Sequence, residues 1–282
     1  MRRVEWVLLG ALALAFVPAL LDLAGIWFSV DHYSHGVLVP LVAGWTAAQS
    51  PVLRRPPIEP REGRGLALLA GALVAYAFGL GANLPSLEGL ALVAAVAGLV
   101  LYLFGRPGLA RLAFPVGFLL FMVPLPPTWL APVIVRLQLV VSSAAAALLQ
   151  AGGFEVAREG NVLLLPGQVS LFVAEACSGI TSIVTLTPLA VVLAHLTERT
   201  LGRRLVLVAS VVPLAMLGNL LRVIGTVVAA RAIGARPATE GPLHEAAGVL
   251  TFAFSCALLL LVGSALRRFA PPGPARREAP AR

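Results

Sequence analysis

Three short groups of residues in this 282-residue chain could do chemistry together. Glu175-Ala176-Cys177-Ser178-Gly179 opens one apolar run, Asn219-Leu220-Leu221-Arg222 lies inside another, and His244-Glu245 opens a third. A thiol in the first turn of a helix gains from the macrodipole, which favours thiolate. Glu175 works against this unless it caps the helix or is itself paired. An arginine inside an apolar run is costly and usually serves a site, a cavity or an anion. Asn219 lies one turn before Arg222 on the same face. Thiol, imidazole and guanidinium together suit acyl transfer through a thioester. The thiolate attacks a peptide carbonyl, histidine keeps the thiol ionised or shuttles the proton, and arginine donates to the developing oxyanion. Each residue also has an ordinary reading: a small buried cysteine, an arginine snorkelling to headgroups, an interfacial histidine.

Other candidates are weighed by position. His32 and His35, in Asp31-His32-Tyr33-Ser34-His35-Gly36, compete with His244, and spacing alone leaves His35 and His244 both open. His195 is eighteen residues beyond Cys177 on the same expected helix, about 27 Å away at 1.5 Å per residue. Cys256 is mid-run in Thr251–Val262 with no charged neighbour, so it reads as packing. No metal or cofactor motif is visible.

The elements that must position these residues follow from composition. Hydrophobic residues make up 59% of the chain and charged ones only 12%, against about 25% charged in soluble domains. Mean hydropathy is +0.93. That is too little charge for a soluble skin, and the apolar residues fall in runs long enough to cross a bilayer. The net charge of +8 comes entirely from arginine. The arginines cluster between apolar runs, as topology signals do, which argues against a nucleic-acid role. Two cysteines permit at most one disulfide. Met1-Arg2-Arg3 before an apolar run resembles a signal peptide, but no convincing Ala-x-Ala site follows, so the run is expected to be the first membrane helix.

The runs are roughly 4–21, 36–50, 65–84, 87–105, 109–124, 176–196, 205–230 and 245–266. The stretch 126–150 carries Arg136, Gln138, Ser142 and Ser143 and is expected to be an interfacial or re-entrant helix. Two β-prone runs around Pro166-Gly167 predict a hairpin within 153–173. The expected fold is therefore an all-α polytopic membrane protein. It has about eight transmembrane helices, an interfacial or re-entrant helix and a short outer β-hairpin, in a single domain over 1–268. A disordered cytoplasmic tail over 269–282 follows. Sixteen of the 21 arginines recur at alternate connections, which predicts cytoplasmic termini by the positive-inside rule. Cys177, Arg222 and His244 then share the outer face. Residues 205 to 222 span about 26 Å, which brings Arg222 close to that boundary.

At these residues the chain resembles the exosortase/archaeosortase family of membrane cysteine transpeptidases. The likeness rests on Glu175-Ala176-Cys177-Ser178-Gly179-Ile180, Asn219-Leu220-Leu221-Arg222 and His244. Tyr33-Ser34-His35-Gly36, Phe114-Pro115 through Pro124-Leu125-Pro126, and Glu159-Gly160-Asn161 support it, over about residues 20–266. The resemblance implies Cys177 as nucleophile, Arg222 as stabiliser of the transition state or substrate carbonyl, and His244 as general base and acid. Glu175, Ser178, Gly179, Asn219 and His35 would bind substrate or support the site. It implies no cofactor. The partners implied are exported proteins ending in a short motif, a transmembrane helix and an arginine-rich end. They would be cleaved at the motif and passed to a surface acceptor on the outer face of the plasma membrane. The competing readings are a small transporter lined by Asn219 and Arg222, a surface-polymer assembly factor, and an intramembrane acyltransferase with a cytoplasmic site. The arginine bias argues against the last.

Overall fold

Long uncharged runs in hydrocarbon must satisfy their own backbone, and a helix does so within one segment. The computed structural model follows that rule. It describes residues 3–54, 62–167, 169–173 and 178–268. The expected tail at 269–282 and the residues Glu175 and Cys177 lie outside the described residues. The chain divides into two compact units, Met1–Pro132 and Val133–Arg282.

The first unit holds α1 (Arg3–Ala15), α2 (Val17–Ser29), a 3-10 helix over Asp31–Val37, α3 (Leu38–Ala48) and α4 (Pro51–Arg54). It continues with α5 (Gly63–Ala82), α6 (Pro85–Arg111), α7 (Ala113–Phe118) and a second 3-10 helix, Leu119–Met122. Helices α5 and α6 form its spine, and they approach closely because they meet at glycines. A Cβ on Gly65 would strike the Tyr102 backbone, and one on Gly98 would lie 2.8 Å from the Leu69 amide nitrogen. The outer sides of α5 carry exposed Val74 and Phe78, as a lipid-facing helix should. The Gly105-Arg106-Pro107-Gly108 breaker survives as a kink within α6, where Gly105 takes φ 67°.

The second unit holds most of α8 (Pro127–Ala151), a small sheet and five further helices. These are α9 (Ile180–Thr197), α10 (Leu201–Ala209), α11 (Val211–Ile233), α12 (Ala235–Thr239) and α13 (Pro242–Arg268). The sheet is antiparallel in the order β1 (Ala157–Glu159), β2 (Val162–Leu165), β3 (Val169–Phe172). The expected hairpin is β2–β3, turning at Pro166-Gly167 with Gly167 at φ +83°. Strand β1 is an addition to it. Leu163, Leu171 and Val173 pack with Val141, Ala145 and Leu149 of α8 and Val223 and Val227 of α11. That apolar patch fixes the sheet against the helices.

The protein is polytopic and helical, as its composition requires, but the spans are distributed differently. Among the described residues six helices are long and apolar enough to cross a membrane, or seven if the pair Leu9–Ala15 and Val17–Ser29, bent by 58°, is one span. About eight were expected. The run at 36–50 yields only the 11 residues of α3, and the run at 109–124 yields the short helix Ala113–Met122. Ten or eleven residues rise about 16 Å, half the hydrocarbon thickness. Conversely, the segment expected to be interfacial or re-entrant is α8, 25 residues long and apolar enough to cross. Two of the polar residues that suggested an interface serve the sheet instead. The Ser142 hydroxyl donates to the Gly160 carbonyl at 3.1 Å, and Asn161 Nδ2 donates to Gln138 Oε1 at 3.2 Å.

Candidate active site

Arg222 lies on α11, whose neighbour α13 carries His244 in its first turn. The Arg222 Nη2 faces His244 Nε2 at 2.9 Å. A guanidinium has only donors, so the Nε2 it faces must be bare. The imidazole proton therefore sits on Nδ1, which faces the Ala238 carbonyl at 3.4 Å. The contact thus fixes the tautomer that leaves Nε2 able to accept a proton. Gly248, one turn beyond His244, makes room for the guanidinium. A Cβ there would lie 3.3 Å from Nη2.

Asn219 is one turn before Arg222 and is 2% exposed. Its side chain backs onto Gly179, whose Cβ position would be 3.6 Å from Asn219 Cβ. Gly179 takes φ 89° and caps the N-terminus of α9. Ser178 is fully buried, and its hydroxyl accepts from the Ile180 amide at 3.2 Å. Helix α9 therefore begins at Ile180, four residues later than the apolar run suggested. Gly179, in the left-handed region, marks that start, and the expected place of Cys177 in a first helical turn lies outside the described residues. His195 sits in the last turn of α9, at the far end from Gly179. Cys256 is partly buried and packs with the α9–α11–α13 core.

Two cavities adjoin the Arg222–His244 pair. One, of about 360 Å³, runs between α11 and α13 and is apolar except for Arg222 and the threonines Thr226 and Thr251. Both hydroxyls bond back to their own helices, to the carbonyls of Arg222 and Ala247. The other, of about 130 Å³, opens between β3 and α11 and has His244 and Thr239 in its wall. This second cleft was not visible in the sequence, because it depends on where the sheet lies on α11.

His35 stands in a different setting, in the first unit. Its Nε2 donates to the Phe121 carbonyl at 3.1 Å, and its Nδ1 is buried without a hydrogen-bond partner among the described residues. Burial pushes its pKa below the ordinary histidine value, the backbone groups of Phe121 and His32 oppose this, and the charge of the His32 ring adds a smaller lowering. The same 3-10 helix pins the chain again through Tyr33. The Leu125 amide donates to the Tyr33 hydroxyl at 2.8 Å. Trp27 Nε1 donates to the Met122 carbonyl at 2.9 Å. His35 is thus one of three side chains that hold Phe121–Leu125 in place.

Among the described residues no cluster of three or more histidine, cysteine or acidic side chains could hold a metal ion. The site's own groups are therefore a thiol in sequence, a guanidinium, an imidazole whose Nε2 lone pair faces that guanidinium, and an amide. No curated protein and no solved structure shows significant similarity to the chain. A family model described as transmembrane exosortase matches residues 27–261, a span that includes Cys177, Asn219, Arg222 and His244. The chain belongs to the transmembrane exosortase family.

Proposed function

We propose that the protein is a cysteine transpeptidase of the membrane's outer face that cleaves the C-terminal sorting signal of exported proteins. Its substrates would carry a short motif, a membrane helix and an arginine-rich end, and would leave as acyl groups transferred to a surface acceptor. Cys177 is the nucleophile. Its thiolate adds to the scissile carbonyl carbon, and the carbonyl oxygen takes the negative charge. Arg222 donates to that oxyanion. His244 Nε2 receives the thiol proton and returns it to the departing amine as the tetrahedral intermediate collapses to a thioester. The acceptor nucleophile then attacks the thioester and releases Cys177. Asn219, Ser178, Gly179 and Glu175 support the site.

The observation that carries this reading is the Arg222–His244 contact at 2.9 Å between α11 and α13. It joins two of the three groups needed for thioester chemistry and leaves the basic nitrogen of His244 unprotonated. In that contact the guanidinium and the future proton compete for one nitrogen. A substrate carbonyl that draws Arg222 away would free His244 for the thiol. The described residues on either side of Cys177 in sequence add support. Val173, directly after β3, lines the His244 cleft, and Gly179 rests on Asn219. The arginine clusters support cytoplasmic termini and an outer site in the plasma membrane.

The test is co-expression of the full chain with a candidate anchored substrate, comparing wild type with Cys177→Ala. Wild type should yield the shortened product, and the variant should yield none while accumulating in the membrane at the same level. Continued processing by Cys177→Ala would overturn the mechanism. A transporter, by contrast, would depend on Arg222 and tolerate Cys177→Ser.

A further inference from the structure

We infer that the free edge of β3 binds the substrate's recognition segment as an added antiparallel or parallel strand, placing one of its apolar side chains in the cleft beside His244. This rests on the reading of the protein as a sorting-signal transpeptidase and specifies how the motif is held.

The ladder shows which backbone groups are available. Val162, Leu163, Leu164 and Leu165 face Phe172, Leu171, Ser170 and Val169 in turn. The Val173 amide donates to the Asn161 carbonyl at 2.9 Å, which continues the same register. Hydrogen-bonded and non-bonded pairs alternate along an antiparallel ladder. Val173, Leu171 and Val169 therefore turn their N–H and C=O toward β2. Ser170 and Phe172 turn theirs away, to the edge that no described strand occupies. Two residues on one edge offer two donors and two acceptors, a template for an extended peptide.

The two edges of the sheet are built differently. On the outside of β1, Ala157-Arg158-Glu159 is exposed and carries two charges, the usual protection against unwanted pairing. On the other side, Val169-Ser170-Leu171-Phe172 has neither charge nor proline. Phe172 is 63% exposed. Among the described residues neither edge is paired, and the one without charges is the one beside the His244 cleft.

The cleft supplies side-chain recognition. Its volume of about 130 Å³ suits one medium-sized side chain, and Leu171, Val173, Val223 and Val227 make its apolar wall. Thr239 and His244 close it. Strand β3 then leads, five residues after Phe172, to Cys177 in the sequence. A strand added to β3 would run beside the chain that delivers the nucleophile, with its backbone fixed by main-chain bonds. That mode reads shape and one side chain, and leaves the other positions of the motif weakly specified.

Proline at an outward-facing edge position deletes one donor while sparing the β2–β3 ladder. The experiment uses the full chain co-expressed with the anchored substrate that wild type processes. Ser170→Pro should slow processing about five- to tenfold, the weight of one main-chain hydrogen bond. Arg158→Pro, the matching change on the charged edge, should stay within about twofold. Because Ser170→Pro could also weaken folding, a second measurement leaves the enzyme untouched. Purified wild-type protein is given peptides spanning the mapped cleavage site, each with one N-methyl group. An added strand predicts that methylation at alternate positions blocks cleavage and methylation between them does not.

Normal processing by Ser170→Pro, or an N-methyl series without a period of two, would overturn the inference while Cys177→Ala still abolishes turnover. If Ser170→Pro instead dissolves a dimer of the detergent-solubilised chain and leaves processing intact, the edge belongs to a second copy. That result would also overturn it. If wild type processes no anchored substrate, the transpeptidase reading fails, and this inference fails with it.

Discussion

Two histidines in this protein are held in opposite ways. In the first unit, His35 gives its Nε2 proton to the Phe121 carbonyl and buries its other nitrogen. In the second, His244 turns a bare Nε2 to the Arg222 guanidinium at 2.9 Å. One ring is committed as a donor to the main chain, where movement would release Phe121–Leu125. The other turns its lone pair toward a guanidinium, a group that can also donate to a carbonyl oxygen. Both lie beside membrane helices, and both looked suitable from their spacing. The partner atom separates them: a carbonyl requires a proton on Nε2, whereas a guanidinium, which has only donors, requires a bare Nε2.

Mutating the two rings separately should break or sharpen this contrast most strongly. His244→Ala and Arg222→Ala should each lower processing of an anchored substrate by about 10²–10⁴-fold, the range for removing a general base or an oxyanion donor. Arg222→Lys should recover little, because an ammonium cannot present two coplanar donors. His35→Gln should leave the rate per folded molecule within a few-fold and lower the amount of folded protein. Quantitative immunoblots of substrate and enzyme in membranes give both readouts. A His35 variant as inactive as His244→Ala, at normal abundance, would reverse the assignment.

How much of this was legible in the sequence differs between the units. The hydrophobic runs disclosed a helical membrane protein, because the 20-residue requirement acts on each segment alone. The β2–β3 hairpin was legible at Pro166-Gly167. Strand β1 was not read from the sequence: it depends on Gly160, which takes φ +61° at the first position of a two-residue loop, the geometry a type II′ turn requires. The shortness of α3 and α7 was not legible. Nor were the tertiary hydrogen bonds that join Trp27, Tyr33 and His35 to Met122, Leu125 and Phe121, just beyond α7. Nor was the fate of Gln138 and Ser142, whose polarity suggested a membrane interface. Their partners, Asn161 and Gly160, lie on a hairpin about twenty residues away. At the site, topology brought Arg222 and His244 to one face, but only the structure gives their contact and the resulting tautomer. The start of α9 was misjudged because Ala174 and Ala176 continue the apolar pattern, while Gly179 takes a backbone conformation that hydropathy does not report.

Helix crossings extend the comparison to stability. In the first unit the α5–α6 approach is limited by backbone, since a Cβ on Gly65 would meet Tyr102 main-chain atoms. In the second, a Cβ on Gly218 of α11 would meet the Ser255 hydroxyl and Thr251 Cγ2 on α13. Main chain cannot step aside, whereas a serine hydroxyl can rotate. Gly65→Ala should cost about 2–3 kcal/mol and Gly218→Ala about 1 kcal/mol, within the overpacking range. Thermal denaturation in detergent measures both. Gly218→Ala carries a second expectation, since α11 bears Arg222: any shift it forces should appear as slower processing, and Gly65→Ala should show none. Equal losses of stability would mean that α11 and α13 are as rigidly opposed as α5 and α6.

Titration gives the smallest expected effect and the sharpest view of His35. Burial holds its pKa below the ordinary value of 6.5. The unfolded chain then binds a proton at a higher pH than the folded one does. Above about pH 6.5 both states carry a neutral ring, so the His35 contribution is fully present. As pH falls below that value, the unfolded state takes up the proton first and stability declines. The decline levels off only once the folded ring titrates as well. Melting of the wild-type protein should therefore fall between pH 7 and pH 5. The other histidines and the carboxylates also contribute to that slope, so the informative quantity is its difference from His35→Gln. Glutamine keeps a donor for the Phe121 carbonyl but has no proton to gain. The variant should melt lower than wild type at pH 7.5, and the gap should narrow toward pH 5. A gap that widens on acidification would mean that the folded state prefers the protonated ring, and His35 would then be a charged group rather than a neutral clamp.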